Sequence, residues 1–292
     1  MKFDGIQITP RDLDFLQSLF ESRIMTSLQV AHLHFEGSRE AAKKRVQKLK
    51  AARLIAERER AVTEKSVLFL LKKGIQTLAE SGRLEMYPHM PLRSLERRAD
   101  VGDSTVAHEI DVMDVKAAFH IALQKHPRFS VAEFITWPLL CQFEPNRPGS
   151  GSKTPLVKPD GFIRIHEKES EGLSERVFFL EVDRSTESQD KLVRRVADYS
   201  SHYTSGDFAV KCGGKRSDFK QFPFRLLIVL LNHERRNNTA KQLLDVRHLP
   251  NQVCLSTLDE IRNDALGNIK ACFCLKKPSA DGGARIVKCI KS

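Results

Sequence analysis

The sequence predicts a mixed α/β (α+β) protein made of two domains. The chain has 292 residues, which is enough for about two domains of ordinary size. Its first third reads as helices followed by a short hairpin, whereas strand-like apolar segments alternate with amphipathic helices after residue 104. That alternation is typical of a mixed sheet covered by helices. We therefore assign residues 1–82 to a first domain, residues 83–104 to a linker rich in Pro, Gly and charge, and residues 105–292 to a second domain.

Positive charge dominates the composition. The chain holds 48 Lys and Arg against 37 Asp and Glu, a net charge of +11, which suggests a polyanionic partner. Nucleic acid is favoured over a membrane surface because no basic amphipathic helix stands beside an aromatic anchor. The longest wholly apolar run, Leu226 to Leu231, is far shorter than the roughly 20 residues that a spanning helix needs. The amino terminus also lacks the apolar core of a signal peptide, so we expect a cytoplasmic protein without a membrane span.

Helix-start signals divide the first domain into three helices. Thr9 and Pro10 stand as N-cap and first residue of a helix, because the threonine hydroxyl accepts from a free backbone N–H group and proline presets the helical φ angle. Thr26 or Ser27 caps a second, shorter helix, and Ser38 caps a third. In each helix, apolar residues recur at helical spacing, which indicates one face packed on a core.

The third helix, from Ser38 to Arg53, carries an excess of positive charge. It holds seven cations and one acid, Glu40, for a net charge of +6. Two strand-like segments, residues 54–60 and 66–71, follow it. This order is typical of a winged helix-turn-helix, in which the third helix enters the major groove and the hairpin, or wing, touches the backbone. The predicted DNA-binding residues are the seven cations: Arg39, Lys43, Lys44, Arg45, Lys48, Lys50 and Arg53.

The predicted partner of this helix is double-stranded DNA. Gln47 is its one Asn or Gln side chain, so contacts to phosphate are better supported than a base code. The alternative is a solvated helix whose charges serve only solubility. Ordinary surfaces intersperse charges of both signs, and this helix does not.

Acidic residues interrupt an apolar strand of the second domain. In the segment RVFFLEVDRS, a period of two places Phe179, Glu181 and Asp183 on one strand face. Ionised carboxylates buried there cost several kcal/mol unless cations or hydrogen bonds compensate. Asp160 stands where the chain enters the preceding strand, and an antiparallel hairpin would bring it beside Glu181. A divalent cation is the economical compensation, with Asp160, Glu181 and Asp183 as its candidate ligands.

These acids resemble the motif of the PD-(D/E)XK nuclease superfamily. Pro159 and Asp160 match its first half, and Glu181, Val182 and Asp183 match its second half. The resemblance implies a restriction-endonuclease-like domain with a central mixed sheet flanked by helices. For a catalytic site it also implies a Mg²⁺ (or Mn²⁺) ion that polarises the scissile phosphate and generates hydroxide. The superfamily has a lysine two residues after the glutamate, where this chain has Asp183.

Three explanations of this departure stay open. Lys191, with Arg194 nearby on the next helix, supplies the missing cation, or Asp183 serves a second metal, or the site is an inactive remnant that only binds. Glu109, on the first helix of the second domain, is a candidate fourth acid, although the helix dipole explains an acid there equally well. The candidate catalytic residues are therefore Asp160, Glu181, Asp183, Lys191 and Glu109.

The whole layout resembles the replication-relaxation family of plasmid and integrative-element proteins. The resemblance spans most of residues 7–262 and rests on ITPRDLDFLQSL, the basic third helix, HEIDVMDV, KPDGFIRI, FFLEVDRSTES and KLVRRVADY. It implies a bacterial, nucleoid- or plasmid-associated protein that acts in plasmid replication, DNA relaxation or transfer.

Two functional hypotheses follow from the sequence. In the first, a winged helix locates duplex DNA and a metal-dependent nuclease-like domain nicks or cleaves its phosphodiesters. In the second, the protein is a non-catalytic regulator or accessory factor whose second domain serves docking or dimerisation. Its protein partners would then be other replication, transfer or transposition proteins, or a second copy of the chain.

Overall fold

A computed structural model describes residues 2–3, 6–59, 64–98, 100–145, 156–170, 172–184, 188–245, 253–267, 273–275 and 286–288. The chain divides into two compact units, residues 1–121 and residues 122–292. Helices and a mixed sheet build it, which confirms the predicted mixed α/β class. Within the described residues, no helix is long and apolar enough to cross a membrane.

The first unit combines helices with a small antiparallel sheet. The elements of this unit are β1 (Lys2–Phe3), β2 (Ile6–Gln7), α1 (Pro10–Ser22), β3 (Ile24–Thr26), α2 (Ser27–His34), α3 (Arg39–Ala51), β4 (Ile55–Glu57), β5 (Val67–Leu70), α4 (Lys72–Glu80), α5 (Leu92–Arg97) and α6 (Asp103–Gln124), the last ending just inside the second unit. The small sheet has the order β3-β5-β4, and both of its pairings are antiparallel.

The predicted caps begin the first three helices. The Thr9 hydroxyl accepts from the backbone N–H of Asp12, while the Asp12 carboxylate accepts from the backbone N–H of Thr9 at 2.7 Å. Thr26 and Gln29 form the same reciprocal pair at the start of α2. Ser38 accepts from the third residue of α3 at 3.3 Å. These local bonds satisfy backbone donors that have no partner within the helix.

The end of the first unit differs from the predicted domain boundary. The assigned linker contains α5, and Tyr87 within it is buried. Helix α6, assigned by sequence to the second domain, contributes to the first unit: the Gln29 side chain donates to the Ile110 carbonyl at 2.8 Å and to Asp114 at 2.6 Å. The Pro- and Gly-rich composition does not indicate these contacts, because they join residues far apart in the sequence.

The second unit is built on a mixed sheet. The elements of this unit are β6 (Phe129–Ile135), α7 (Pro138–Cys141), β7 (Gly161–Glu169), β8 (Gly172–Asp183), α8 (Gln189–Thr204), α9 (Asp207–Lys211), a 3-10 helix (Arg216–Gln221), β9 (Arg225–Leu230), α10 (His233–Asp245), β10 (Val253–Thr257), α11 (Leu258–Asn263), β11 (Phe273–Leu275) and β12 (Ile286–Lys288). In the described residues the strand order is β12-β11-β10-β9-β8-β7-β6, with the β8–β9 and β9–β10 pairs parallel and the others antiparallel.

An aromatic core holds helices α8 and α9 against one face of this sheet. The ring of Phe179 on β8 lies 5.4 Å from that of Tyr199, 5.7 Å from that of Phe208 and 4.8 Å from that of Phe224. Large rings bury much apolar area and pack well edge to face. Because side chains alternate along a strand, Glu181 follows Phe179 onto the same packed face.

Candidate functional site

Helix α3 faces a concave groove in the first unit. The groove has a volume of about 450 Å³ and lies between α3, the first turn of α2 and the strands of the hairpin. Arg39, Lys43, Gln47 and Lys50 line it from α3. At about 100° per residue these four positions fall within about 80° of one another around the helix. Val46, which also lines the groove, is buried, as are Ala42 and Leu49.

Arg45 lies away from this groove. Its Nε donates to Asp12 Oδ1 at 2.6 Å, and its Nη2 donates to Asp12 Oδ2 and to the Gln7 carbonyl, the latter at 2.7 Å. The side chain of Arg45 is 20% exposed and that of Asp12 is 1% exposed. Burial raises the pKa of Asp12, but hydrogen bonds from Arg45 and Thr9 outweigh burial and hold the pKa below its usual value. Arg45, predicted to contact DNA, therefore joins α3 to α1.

The other six predicted DNA-binding cations lie on the outside of the first unit. Lys44 forms an exposed ion pair with Glu40 one turn earlier at 3.5 Å. Lys50 donates to Glu57 of the hairpin at 2.6 Å. Arg39, Lys43, Lys44, Lys48 and Arg53 are exposed, and Lys50 is half-buried. The exposed side of α3 thus keeps a positive charge after its ion pairs are counted.

The second unit brings together Asp160 and Glu181. Strands β7 and β8 are antiparallel with Gly161 opposite Leu180. The backbone N–H of Asp160 donates to the Leu180 carbonyl at 3.0 Å, and its carboxylate accepts from the backbone N–H of Val182 at 2.7 Å. The hairpin therefore places the Asp160 carboxylate directly beside Glu181.

Glu181 is buried, and both of its carboxylate oxygens accept hydrogen bonds from α8. Its side chain is 2% exposed. The Tyr199 hydroxyl donates to Oε1 at 2.6 Å, and Arg195 Nη1 donates to Oε2 at 2.8 Å. Burial raises the pKa of Glu181 and the charge of Asp160 adds to the effect; Arg195 and Tyr199 act in the opposite direction, and the pKa is raised to about 8.

Asp183, where the nuclease motif has lysine, is paired with an arginine. Arg235 Nε on α10 donates to Asp183 Oδ2 at 2.6 Å, and both side chains are at least 85% buried. Within the described residues, no three His, Cys, Asp or Glu side chains are grouped so that they could hold a metal ion. The buried acids of β8 are instead compensated by guanidinium groups.

The two remaining candidate catalytic residues are Lys191 and Glu109. Lys191 is exposed on the first turn of α8, and Arg195, one turn further along, makes the contact with Glu181. Glu109 belongs to the first unit, where it forms an ion pair with Arg23 at 3.4 Å.

The partners of these acids, Arg195, Tyr199 and Arg235, are not among the predicted site residues. One signal was present: Arg195 and Tyr199 are four residues apart, so they share a face of an amphipathic helix. Arg235 is separated from Asp183 by 52 positions, and no local pattern links the two.

The comparison with known proteins identifies a family. No curated protein and no solved structure matches the chain. The family model described as Replication-relaxation matches residues 16–214, which is more than half of the 292 residues. The matched range holds α2 and α3 together with Asp160, Glu181, Arg195 and Tyr199, and it ends before Arg235. The chain therefore belongs to the Replication-relaxation family, which suggests a role in the replication or relaxation of plasmids or mobile elements.

Proposed function

We propose that this protein binds double-stranded DNA through its first unit and acts as an accessory factor in plasmid or mobile-element replication or relaxation. The order α1-β3-α2-α3-β4-β5 with an antiparallel sheet supports a winged helix-turn-helix, with α3 as the recognition helix and the β4–β5 hairpin as the wing. The observation that carries the proposal is the exposed side of α3, where Arg39 and Lys43 line a groove beside the hairpin.

Charge explains why such a surface selects a polyanion. Each Lys or Arg that neutralises a DNA phosphate releases condensed counterions, so affinity falls as salt rises. The hydroxyl groups of Ser27 and Ser66, 2.9 Å apart, line the same groove and are groups that commonly contact phosphate oxygens.

Removing Arg39 and Lys43 together tests DNA binding. The double alanine variant is expected to bind a random-sequence duplex at least about ten times more weakly near 100 mM salt, and the slope of log affinity against log salt should fall by about 0.9 for each phosphate that the variant no longer neutralises. Fluorescence anisotropy of the full chain at several salt concentrations measures both quantities.

The control for this variant is Lys72→Ala with Arg93→Ala, which removes the same charge from exposed positions on α4 and α5. It should bind as the unchanged protein does. Equal affinity of the Arg39/Lys43 variant and the unchanged protein would mean that α3 does not contact DNA.

The second unit supports a non-catalytic role better than a nuclease. Both oxygens of Glu181 accept from Tyr199 and Arg195, and Asp183 accepts from Arg235. Mg²⁺ requires near-octahedral oxygen ligands, and these acids are already bound to protein donors. The two guanidinium groups supply the positive charge that a metal would supply, so the residues do not fit Mg²⁺ or Mn²⁺. We therefore favour a domain that docks or dimerises.

Incubation with supercoiled plasmid tests this choice. The unchanged protein in Mg²⁺ or Mn²⁺ is expected to leave the plasmid supercoiled, because protein donors already occupy its carboxylates. The variants Asp160→Ala and Glu181→Ala are expected to leave it supercoiled as well. Agarose gel electrophoresis separates supercoiled from nicked forms. Nicking by the unchanged protein that both variants abolish would contradict the non-catalytic role and support a metal-dependent nuclease.

A further inference from the structure

Gln47 differs in chemistry from the other polar residues of α3. Among the thirteen residues of that helix it is the one uncharged side chain with hydrogen-bonding groups. It is exposed and lines the groove together with Lys43. An amide offers two donors and an acceptor in fixed geometry, whereas a lysine offers only donors.

The position of Gln47 is central on the exposed side of the helix. At about 100° per residue, Gln47 lies about 40° from Lys43 and about 60° from Lys50 in one direction, and about 60° from Lys44 in the other. The buried residues of α3, Ala42, Val46 and Leu49, lie about 100° to 160° from Gln47 around the helix. Cations therefore flank Gln47 on both sides.

This arrangement matches the demands of a helix in the major groove. The middle of the exposed side meets base edges on the groove floor, and its flanks meet the phosphates of the two strands. The glutamine amide pairs with adenine, accepting from N6 and donating to N7. We propose that Gln47 is a specificity-determining residue that reads an adenine in the major groove, an inference that rests on the proposed DNA binding.

A second observation on the same groove agrees with an A·T pair. Leu28, at the start of α2, lines the groove and is 43% exposed. Exposure of an apolar side chain to water is unfavourable. The thymine methyl group is the apolar group that the major groove presents. Leu28 is therefore placed to contact thymine beside the adenine that Gln47 reads.

Selection of duplexes from a random pool tests the role of Gln47 in the full chain. The unchanged protein should enrich a motif with adenine at one position, with a preference over other bases of roughly 5- to 150-fold, the range of one good bidentate contact. Gln47→Ala should abolish the preference at that position and keep the rest of the motif. Gln47→Glu should change the preference from adenine to cytosine, because a carboxylate accepts from cytosine N4.

Anisotropy with a random-sequence duplex separates this inference from DNA binding itself. Gln47→Ala should keep its affinity for that duplex within about twofold, since phosphate contacts supply non-specific binding, while Arg39→Ala with Lys43→Ala should weaken it. Two outcomes would overturn the role of Gln47 and leave DNA binding intact. In the first, the unchanged protein binds DNA but selects no motif. In the second, the unchanged protein, Gln47→Ala and Gln47→Glu all select the same motif. An unchanged protein that binds no duplex would overturn both.

Discussion

Replacing Arg45 with alanine is expected to destabilise the first unit by about 3 kcal/mol, the lower end of the range for removing one partner of a buried ion pair. We expect the lower end because the Arg45 side chain is 20% exposed. The variant leaves Asp12, 1% exposed, without the guanidinium that stabilises its charge. Lys44→Ala is the matched control, since it removes the same charge from the neighbouring, exposed position of α3. That control should change the free energy of unfolding by less than about 0.5 kcal/mol.

Urea unfolding of the full chain, with hydrogen exchange of α1 and α3 to assign the destabilisation to the first unit, measures this effect. The pKa of Asp12 lies below its usual value, so its pair stabilises the fold above the unfolded-state pKa, and this contribution disappears as pH falls through the folded-state pKa. The difference between Arg45→Ala and the unchanged protein should therefore shrink in acid. Equal destabilisation by Arg45→Ala and Lys44→Ala would contradict the structural role of Arg45 and favour the DNA contact that the sequence predicts.

Glu181→Gln is expected to change how the stability of the second unit depends on pH. A carboxyl group whose folded-state pKa is raised holds its proton more tightly in the folded protein, so it stabilises the fold most below its unfolded-state pKa. With a folded-state pKa of about 8 against a usual value of 4.5, this stabilisation should fall as pH rises between those values, by a few kcal/mol in all. Glutamine does not ionise, so the variant should lack this slope.

Urea unfolding at several values between about pH 5 and pH 9 checks this expectation, because that range includes the folded-state pKa. Glu175→Gln is the control, because Glu175 is an exposed acid on the same strand, and it should keep the pH profile of the unchanged protein. Parallel profiles for Glu181→Gln and the unchanged protein would show that burial does not raise the pKa of Glu181.

Local signals in the sequence were sufficient for the helix starts and for the order of the main elements. The caps at Thr9, Thr26 and Ser38 involve residues within three positions of one another, so the sequence contains both partners of each bond. The hairpin that carries Asp160 and Glu181 likewise joins two strands that follow each other along the chain. Helix α6, assigned by sequence to the second domain, lies mostly in the first compact unit. Its contacts with Gln29 span more than 80 positions, so no local pattern indicates them.

By itself, the sequence determined the mixed α/β class, the basic third helix and the presence of acids on an apolar strand, because periodicity, caps and charge are properties of neighbouring residues. Only the tertiary structure decided which charges are compensated, and by what. Arg45 pairs with Asp12, Arg195 with Glu181 and Arg235 with Asp183, although the sequence had predicted a DNA contact for the first and a metal for the two β8 acids. A buried carboxylate requires hydrogen bonds or a positive partner. Because each of these arginines is distant from its acid along the chain, only the three-dimensional fold shows which cation lies beside which acid.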